Sequence, residues 1–169
     1  MKHNVAFLGV FLALALVFSY VEAMIPFAIA IPGVKLGITN IVVLLILYLI
    51  GPKEAFIVSV LRVILAGLLF GNLFSIIYSM AGALFSLAVM MLLRRTKQFH
   101  VISISAVGGI VHNLGQLIVA AFVVENYNIM YYFAVLMIAG VITGVIIGIV
   151  GNEMIKRVGR FFWKRQIHT

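Results

Sequence analysis

The stretch Phe99–Glu125, FHVISISAVGGIVHNLGQLIVAAFVVE, is apolar enough to cross a bilayer, yet it carries His112, Asn113 and Gln116 near its middle. Polar and ionisable side chains at that depth are costly and face a protein interior or a cavity. His112 and Gln116 are one helical turn apart and share a face, whereas Asn113 is rotated off it. Working outward, one other ionisable residue falls at comparable depth: Arg62, inside the apolar run Ala55–Phe70. A buried guanidinium does not shed its charge and needs acceptors or an anion. These two segments are expected to wall a polar pocket inside a small helical membrane protein.

Composition sets the solvent. The 169-residue chain is 65% hydrophobic and 9% charged, with a mean hydropathy of +1.28. A soluble domain carries about a quarter charged residues, so lipid must be the solvent for most of this surface. Six spans of about 20 residues consume most of the length. The reading is an all-α membrane protein, a single integral domain over 1–169. Its helices are expected at roughly 5–25, 36–50, 54–70, 73–93, 99–124 and 129–155, with a basic tail over 156–169. The tail's Phe161, Phe162 and Trp163 among basic residues suit an interfacial segment at an anionic leaflet. There is no cysteine, which excludes disulfides and thiolate metal sites. The net charge of +8 does not signal nucleic acid, because the basic residues gather at the ends of apolar runs.

The first run, Val5–Ile25, is long for a signal-peptide core and follows a single firm positive charge, so it is read as a retained helix despite the later Ala28-Ile29-Ala30. Gly9 and Ala13, and again Ala15, Ser19 and Ala23, repeat at four-residue spacing, which lets another helix approach closely. Pro26, Pro32 and Gly33 break the chain into a turn or re-entrant loop, read as a lid. The next run is short for a crossing: either the helix begins near Gly33 or it is buried among the others. Ser75, Ser79 and Ala83 form one stripe of the fourth run, and Gly140, Gly144 and Gly148 form a close-packing stripe of the sixth. Lys2, Lys53, Arg94, Arg95, Lys97 and the basic tail fall on one side of the membrane. Glu22, Lys35 and Glu125 fall on the other, so both termini are expected in the cytoplasm.

Topology then sorts the polar residues by depth. Glu22, Lys35, Asn40, Asn72 and Glu125 lie toward the outer face, and Arg62, His112, Asn113 and Gln116 nearer the midplane. An outward pocket would collect both sets, with Tyr20, Phe74, Tyr78, Tyr131 and Tyr132 as candidate aromatics. Lys35, Arg62 and a protonated His112 would favour an anionic or carbonyl-bearing ligand. Blander readings stand beside these: Arg62 paired with Glu22 or with carbonyls, His112 a satisfied core histidine, and Asn113 and Gln116 as interhelical hydrogen bonds. The four acids, Glu22, Glu54, Glu125 and Glu153, are scattered and there is no aspartate. Magnesium-dependent diphosphate chemistry needs clustered carboxylates, and no nucleotide-type phosphate loop is present. The chain is therefore expected neither to be an enzyme nor to bind a cofactor or metal directly.

Pro32–Val42, Leu61–Gly67, Tyr78–Ala83 and Gly109–Gln116 carry a resemblance. Through them the chain resembles the Gx transporter family, often labelled heptaprenyl diphosphate synthase component I. That family is similar to the substrate-binding S components of energy-coupling factor transporters. The resemblance implies a six-helix S-component bundle in a bacterial-type cytoplasmic membrane, with a small-molecule site in its outer half and the first loop as lid. It implies docking on a transmembrane coupling subunit driven by two ATPases that use ATP. The nearest match here to the docking face of the first helix is Gly9-x-x-x-Ala13. The ligand set carried forward is Lys35, Asn40, Arg62, Asn72, Tyr78, His112, Asn113 and Gln116. The ligand expected is a small anionic or amphipathic compound, an isoprenoid, quinone precursor or vitamin-like molecule. The alternative is a non-catalytic membrane subunit or scaffold for prenyl-quinone biosynthesis or a redox assembly. The least favoured reading is a membrane enzyme acting on prenyl diphosphates.

Overall fold

The computed structural model describes residues 5–24, 37–125, 131 and 133–166. Within them the regular elements are six helices: α1 (Val5–Met24), α2 (Asn40–Leu49), α3 (Pro52–Phe70), α4 (Leu73–Thr96), α5 (Val101–Val124) and α6 (Phe133–Gln166). Four of these, α1, α4, α5 and α6, are long and apolar enough to cross a membrane. Large apolar side chains such as Val10, Leu68, Leu73, Ile138 and Ile142 point outward. Water would not tolerate so continuous an apolar surface, whereas hydrocarbon does. The chain is a multi-pass membrane protein.

Of the two remaining helices, α2 explains the inside of the bundle. α2 starts at Asn40 rather than near 36 and has 10 residues, about 15 Å, half of a hydrocarbon core. It does not need to meet lipid: Val42 through Leu47 are all buried. α2 is the hub of the apolar core, against Ala15 of α1, Ala55 and Val58 of α3, Leu87 and Met90 of α4, Ile104 of α5 and Ile147 of α6. This is why a run apolar on every side can be short: it is enclosed by the other helices along its length. Its C-terminus is held by Arg94, whose Nη1 donates to Leu47 O at 2.5 Å and whose guanidinium lies 5.0 Å from the Tyr48 ring centroid. The positive charge meets the negative end of the helix dipole. α3 begins on Pro52 after Gly51, as a proline without a donor should.

α4, α5 and α6 pack through small residues. A Cβ on Gly109 would lie 2.3 Å from Gly140 O, one on Gly144 2.7 Å from Ala106 Cα, and one on Gly148 2.7 Å from Ile102 Cα. The glycine stripe of the sixth run is thus the α5–α6 contact. The Ser75–Ser79–Ala83 stripe of α4 is buried as well. α6 does not end at 155: it runs unbroken to Gln166, 34 residues and roughly 50 Å. The expected separate tail is helix at least that far. Arg157 Nε donates to Glu153 Oε1 at 2.7 Å across one exposed turn of it, and lysine and arginine are good helix formers.

Candidate functional site

Arg62, on the inner face of α3, retains only 4% of its accessible surface. Its Nη2 donates to Asn40 Oδ1 at 2.9 Å, and Asn40 is the first residue of α2. Nε has no partner. A guanidinium has five donors, and this one is deep inside protein with a neutral oxygen as its hydrogen-bonded acceptor. No carboxylate lies within ion-pair distance of it among the described residues. Glu22 is near enough to attract the charge, but its oxygens are engaged elsewhere.

Glu22, which the sequence placed among the outer polar residues but not in the ligand set, is central to the geometry. It sits two residues before the end of α1, buried, on the same face as Ala15 and Ser19. Glu22 Oε1 accepts from the Gly37 amide at 2.5 Å and from the Ile38 amide at 3.3 Å. Oε2 accepts from Thr39 Oγ1 at 3.1 Å, and Ser19 Oγ lies 3.2 Å from the same hydroxyl. A carboxylate here satisfies the orphan donors that open α2 and meets the positive end of its dipole. The signal available in the sequence was the spacing: Ala15, Ser19 and Glu22 fall on one stripe at intervals of four and three.

Gly37 joins the two halves of the constellation. Its φ of +81° suits glycine. A Cβ there would stand 2.9 Å from Asn40 Nδ2 and 3.1 Å from His112 Cδ2. The Arg62–Asn40 pair and the α5 polar cluster therefore meet at this residue. His112 and Gln116 are fully enclosed, with Gln116 Nε2 3.0 Å from His112 Nε2. Which of the two nitrogens donates depends on the tautomer of the imidazole. The pair rests on Gly82 of α4, where a Cβ would come within 2.6 Å of His112 O and 2.8 Å of Gln116 Cγ.

Other members of the expected set go elsewhere. Asn113 turns toward α6, its Nδ2 donating to Leu136 O at 2.8 Å, while Oδ1 is buried without a partner. Asn72 is exposed and caps α4, its Oδ1 accepting from the Ser75 amide at 2.8 Å. That is what an asparagine preceding a helix does best. Tyr78 belongs to an apolar cluster with Leu117, Ala120 and Leu136. Tyr20, Phe74 and Tyr131 are largely exposed; Tyr20 packs on the Phe70 ring at 5.1 Å. Gly9 and Ala13 face outward on α1, and nothing lies within 4 Å of a Cβ placed on Gly9. Lys35, the lid residues Pro26, Pro32 and Gly33, and Tyr132 lie outside the described residues.

Beneath Gly37 and Asn40 is a small cavity lined by Ser86, Ser105, Gly108, Gly109, Thr143 and Gly144. At about 10 Å³ it has room for one water. Among the described residues, no group of three or more histidines, cysteines or acids is placed to hold a metal ion.

Residues 11–154 match the family described as heptaprenyl diphosphate synthase component I. The chain belongs to that family. The match runs from Phe11 in α1 to Met154 in α6 and takes in Glu22, Gly37, Asn40, Arg62, His112 and Gln116. The family's shared region is therefore the whole bundle around Arg62, and the α6 extension lies past it. No curated protein and no solved structure matches the chain.

Proposed function

We propose that this protein is the substrate-capture subunit of an importer of the energy-coupling factor type. It takes up a small anionic or amphipathic compound, isoprenoid, quinone-precursor or vitamin-like, from the outer side. One observation carries the reading: Arg62 is a buried cation hydrogen-bonded to a neutral side chain, with a donor to spare. Removing an ion of this size from water costs several kcal/mol unless an opposite charge meets it. An anionic ligand supplies that charge. Arg62 binds it, with Lys35 contributing from the outer side, while Asn40, His112 and Gln116 orient its polar atoms.

Six crossings, α2 and α3 included, place Lys53, Arg94, Arg95, Lys97, Lys156, Arg157 and Arg160 on the cytoplasmic side, with Glu22 and Glu125 outside. Both termini are then cytoplasmic. The outward face of α1 around Gly9 and Ala13 docks a transmembrane coupling subunit, and its two ATPases spend the ATP. On this reading the protein serves capture rather than catalysis, in keeping with four scattered acids and no aspartate in the sequence.

Mass spectrometry of small molecules released from the purified protein tests the reading. An anionic compound should accompany the wild type and be missing from Arg62→Met. Equal occupancy in both would remove Arg62 from the site. The family description, with the hydrogen bond from Asn113 to α6, favours a second reading: a non-catalytic membrane scaffold whose polar core only locks helices. Affinity capture of the native protein separates the two, by recovering coupling and ATPase subunits or prenyl-chain and redox enzymes.

A further inference from the structure

We infer that Glu22 is a positioning residue for Arg62, and that the clasp it makes between α1 and the start of α2 governs whether a solute from water reaches the guanidinium. The inference rests on the reading of Arg62 as a ligand group. The connection is short and continuous. The Glu22 carboxylate accepts from the Gly37 and Ile38 amides and the Thr39 hydroxyl. The next residue, Asn40, holds Arg62 Nη2. Gly37 in turn abuts His112. Whatever moves the first turn of α2 therefore moves the acceptor of Arg62 and the contact with the α5 cluster together.

The bonding argues for a clasp that opens rather than a permanent weld. Three acceptor contacts and the Ser19–Thr39 hydroxyl pair gather at one end of α1, while the outward face of that helix carries Gly9, Val10, Ala13 and Val17. α1 fully buries only Ala15, Ser19 and Glu22 and lays Leu8, Phe11, Leu12, Leu14 and Phe18 partly buried on the apolar core, so the clasp is its polar attachment to the start of α2. Apolar contacts are non-directional, and a helix resting on them can shift locally when its polar attachment is released. Charge-assisted hydrogen bonds are strong where water is excluded and weaken when water competes for them. The same carboxylate spends its hydrogen bonds on the start of α2, which leaves the guanidinium free to hydrogen-bond an incoming anion.

The test reads access to Arg62 without needing the ligand. Purified protein in lipid nanodiscs is treated with p-hydroxyphenylglyoxal, a water-soluble guanidinium reagent. Peptide mass spectrometry then follows modification of Arg62, with the exposed Arg157 as the internal standard. Arg62 should react slowly in the wild type and roughly tenfold faster or more in Glu22→Ala, the scale set by a single charge-assisted hydrogen bond. Glu22→Gln, which can still accept from the amides, should fall between. The chain has no cysteine, so adding Ser19→Cys and Thr39→Cys to Glu22→Ala allows a disulfide to replace the lost clasp. Oxidation should return Arg62 to slow labelling and reduction should release it. An unchanged rate in Glu22→Ala overturns the inference, as does fast labelling in both redox forms of the triple variant. Labelling that follows this pattern while no anionic compound accompanies the protein would instead leave the clasp standing and sink the ligand reading.

Discussion

Arg62→Met separates a ligand-binding arginine from a structural one, because the two make opposite predictions for stability. Removing one partner of a buried, satisfied ion pair costs about 3–5 kcal/mol. Here the arginine donates to a neutral oxygen at 2.9 Å and leaves Nε unpartnered. Losing the Asn40 bond costs about 1.5–3 kcal/mol and strands Asn40 Oδ1. Against that, methionine of similar length fills the space and removes both an orphaned donor, worth about 1–3 kcal/mol, and the desolvation of an ion, worth several. The single substitution should therefore leave the ligand-free protein within about 1 kcal/mol of wild type. Arg62→Met with Asn40→Leu, which also removes the stranded oxygen, should be more stable than wild type by about 1–3 kcal/mol. Reversible unfolding in mixed micelles, followed by circular dichroism after bound small molecules are exhausted, measures both. A loss of 3 kcal/mol or more in the single variant, not recovered in the double, would show that Arg62 is a structural pair and refute the reasoning.

Three further outcomes follow from the geometry. Gly37→Ala places a β-carbon 2.9 Å from Asn40 Nδ2 and 3.1 Å from His112 Cδ2 at a left-handed φ. It should cost about 1–3 kcal/mol and lower the occupancy of any co-purifying compound, read by mass spectrometry. Gly109→Leu drives a side chain into Gly140 O and should cost 3 kcal/mol or more, about the top of the overpacking range, seen as loss of monodisperse protein on size exclusion. Asn72→Ala removes only a helix cap; it should cost about 1 kcal/mol in the same unfolding assay and leave compound occupancy at the wild-type level.

The parts of this fold that a sequence displays are those with a period. The glycines at 140, 144 and 148 announce a close helix contact because spacing alone puts them on one face, and they meet Ile102, Ala106 and Gly109 as that face requires. His112 and Gln116 are paired for the same reason. What lacked a period was harder to place. α2 is apolar all round, which says that it is enclosed but not where it starts. Its first residue is set by Glu22, 15 positions before Gly37 in the chain and hydrogen-bonded to it. Asn72 and Tyr78 have the chemistry of ligand groups, and the structure adds what the sequence did not show: a helix cap for one and an apolar cluster around the other. Neither assignment depends on residue type, only on which neighbour arrives from another helix. The α6 extension was hidden by its charge: a basic run after an apolar one reads as a tail, although lysine and arginine continue a helix well.

The arrangement of Glu22 and Arg62 makes the strongest case that the polar core is more than a lock. The simplest lock in a hydrophobic bundle is an ion pair, and the two charges needed for one are both buried here, with Glu22 near enough for its field to be felt at Arg62. They do not pair. The carboxylate is spent on the Gly37 and Ile38 amides and the Thr39 hydroxyl, groups that a neutral serine or asparagine could have capped. The arginine is left with one neutral acceptor. A core shaped for stability alone would either join these charges or replace both with hydrocarbon, which is often the more stable choice. Keeping an arginine apart from a nearby carboxylate sacrifices stability in the empty protein, and under the proposed function an anion bound at Arg62 would recover it.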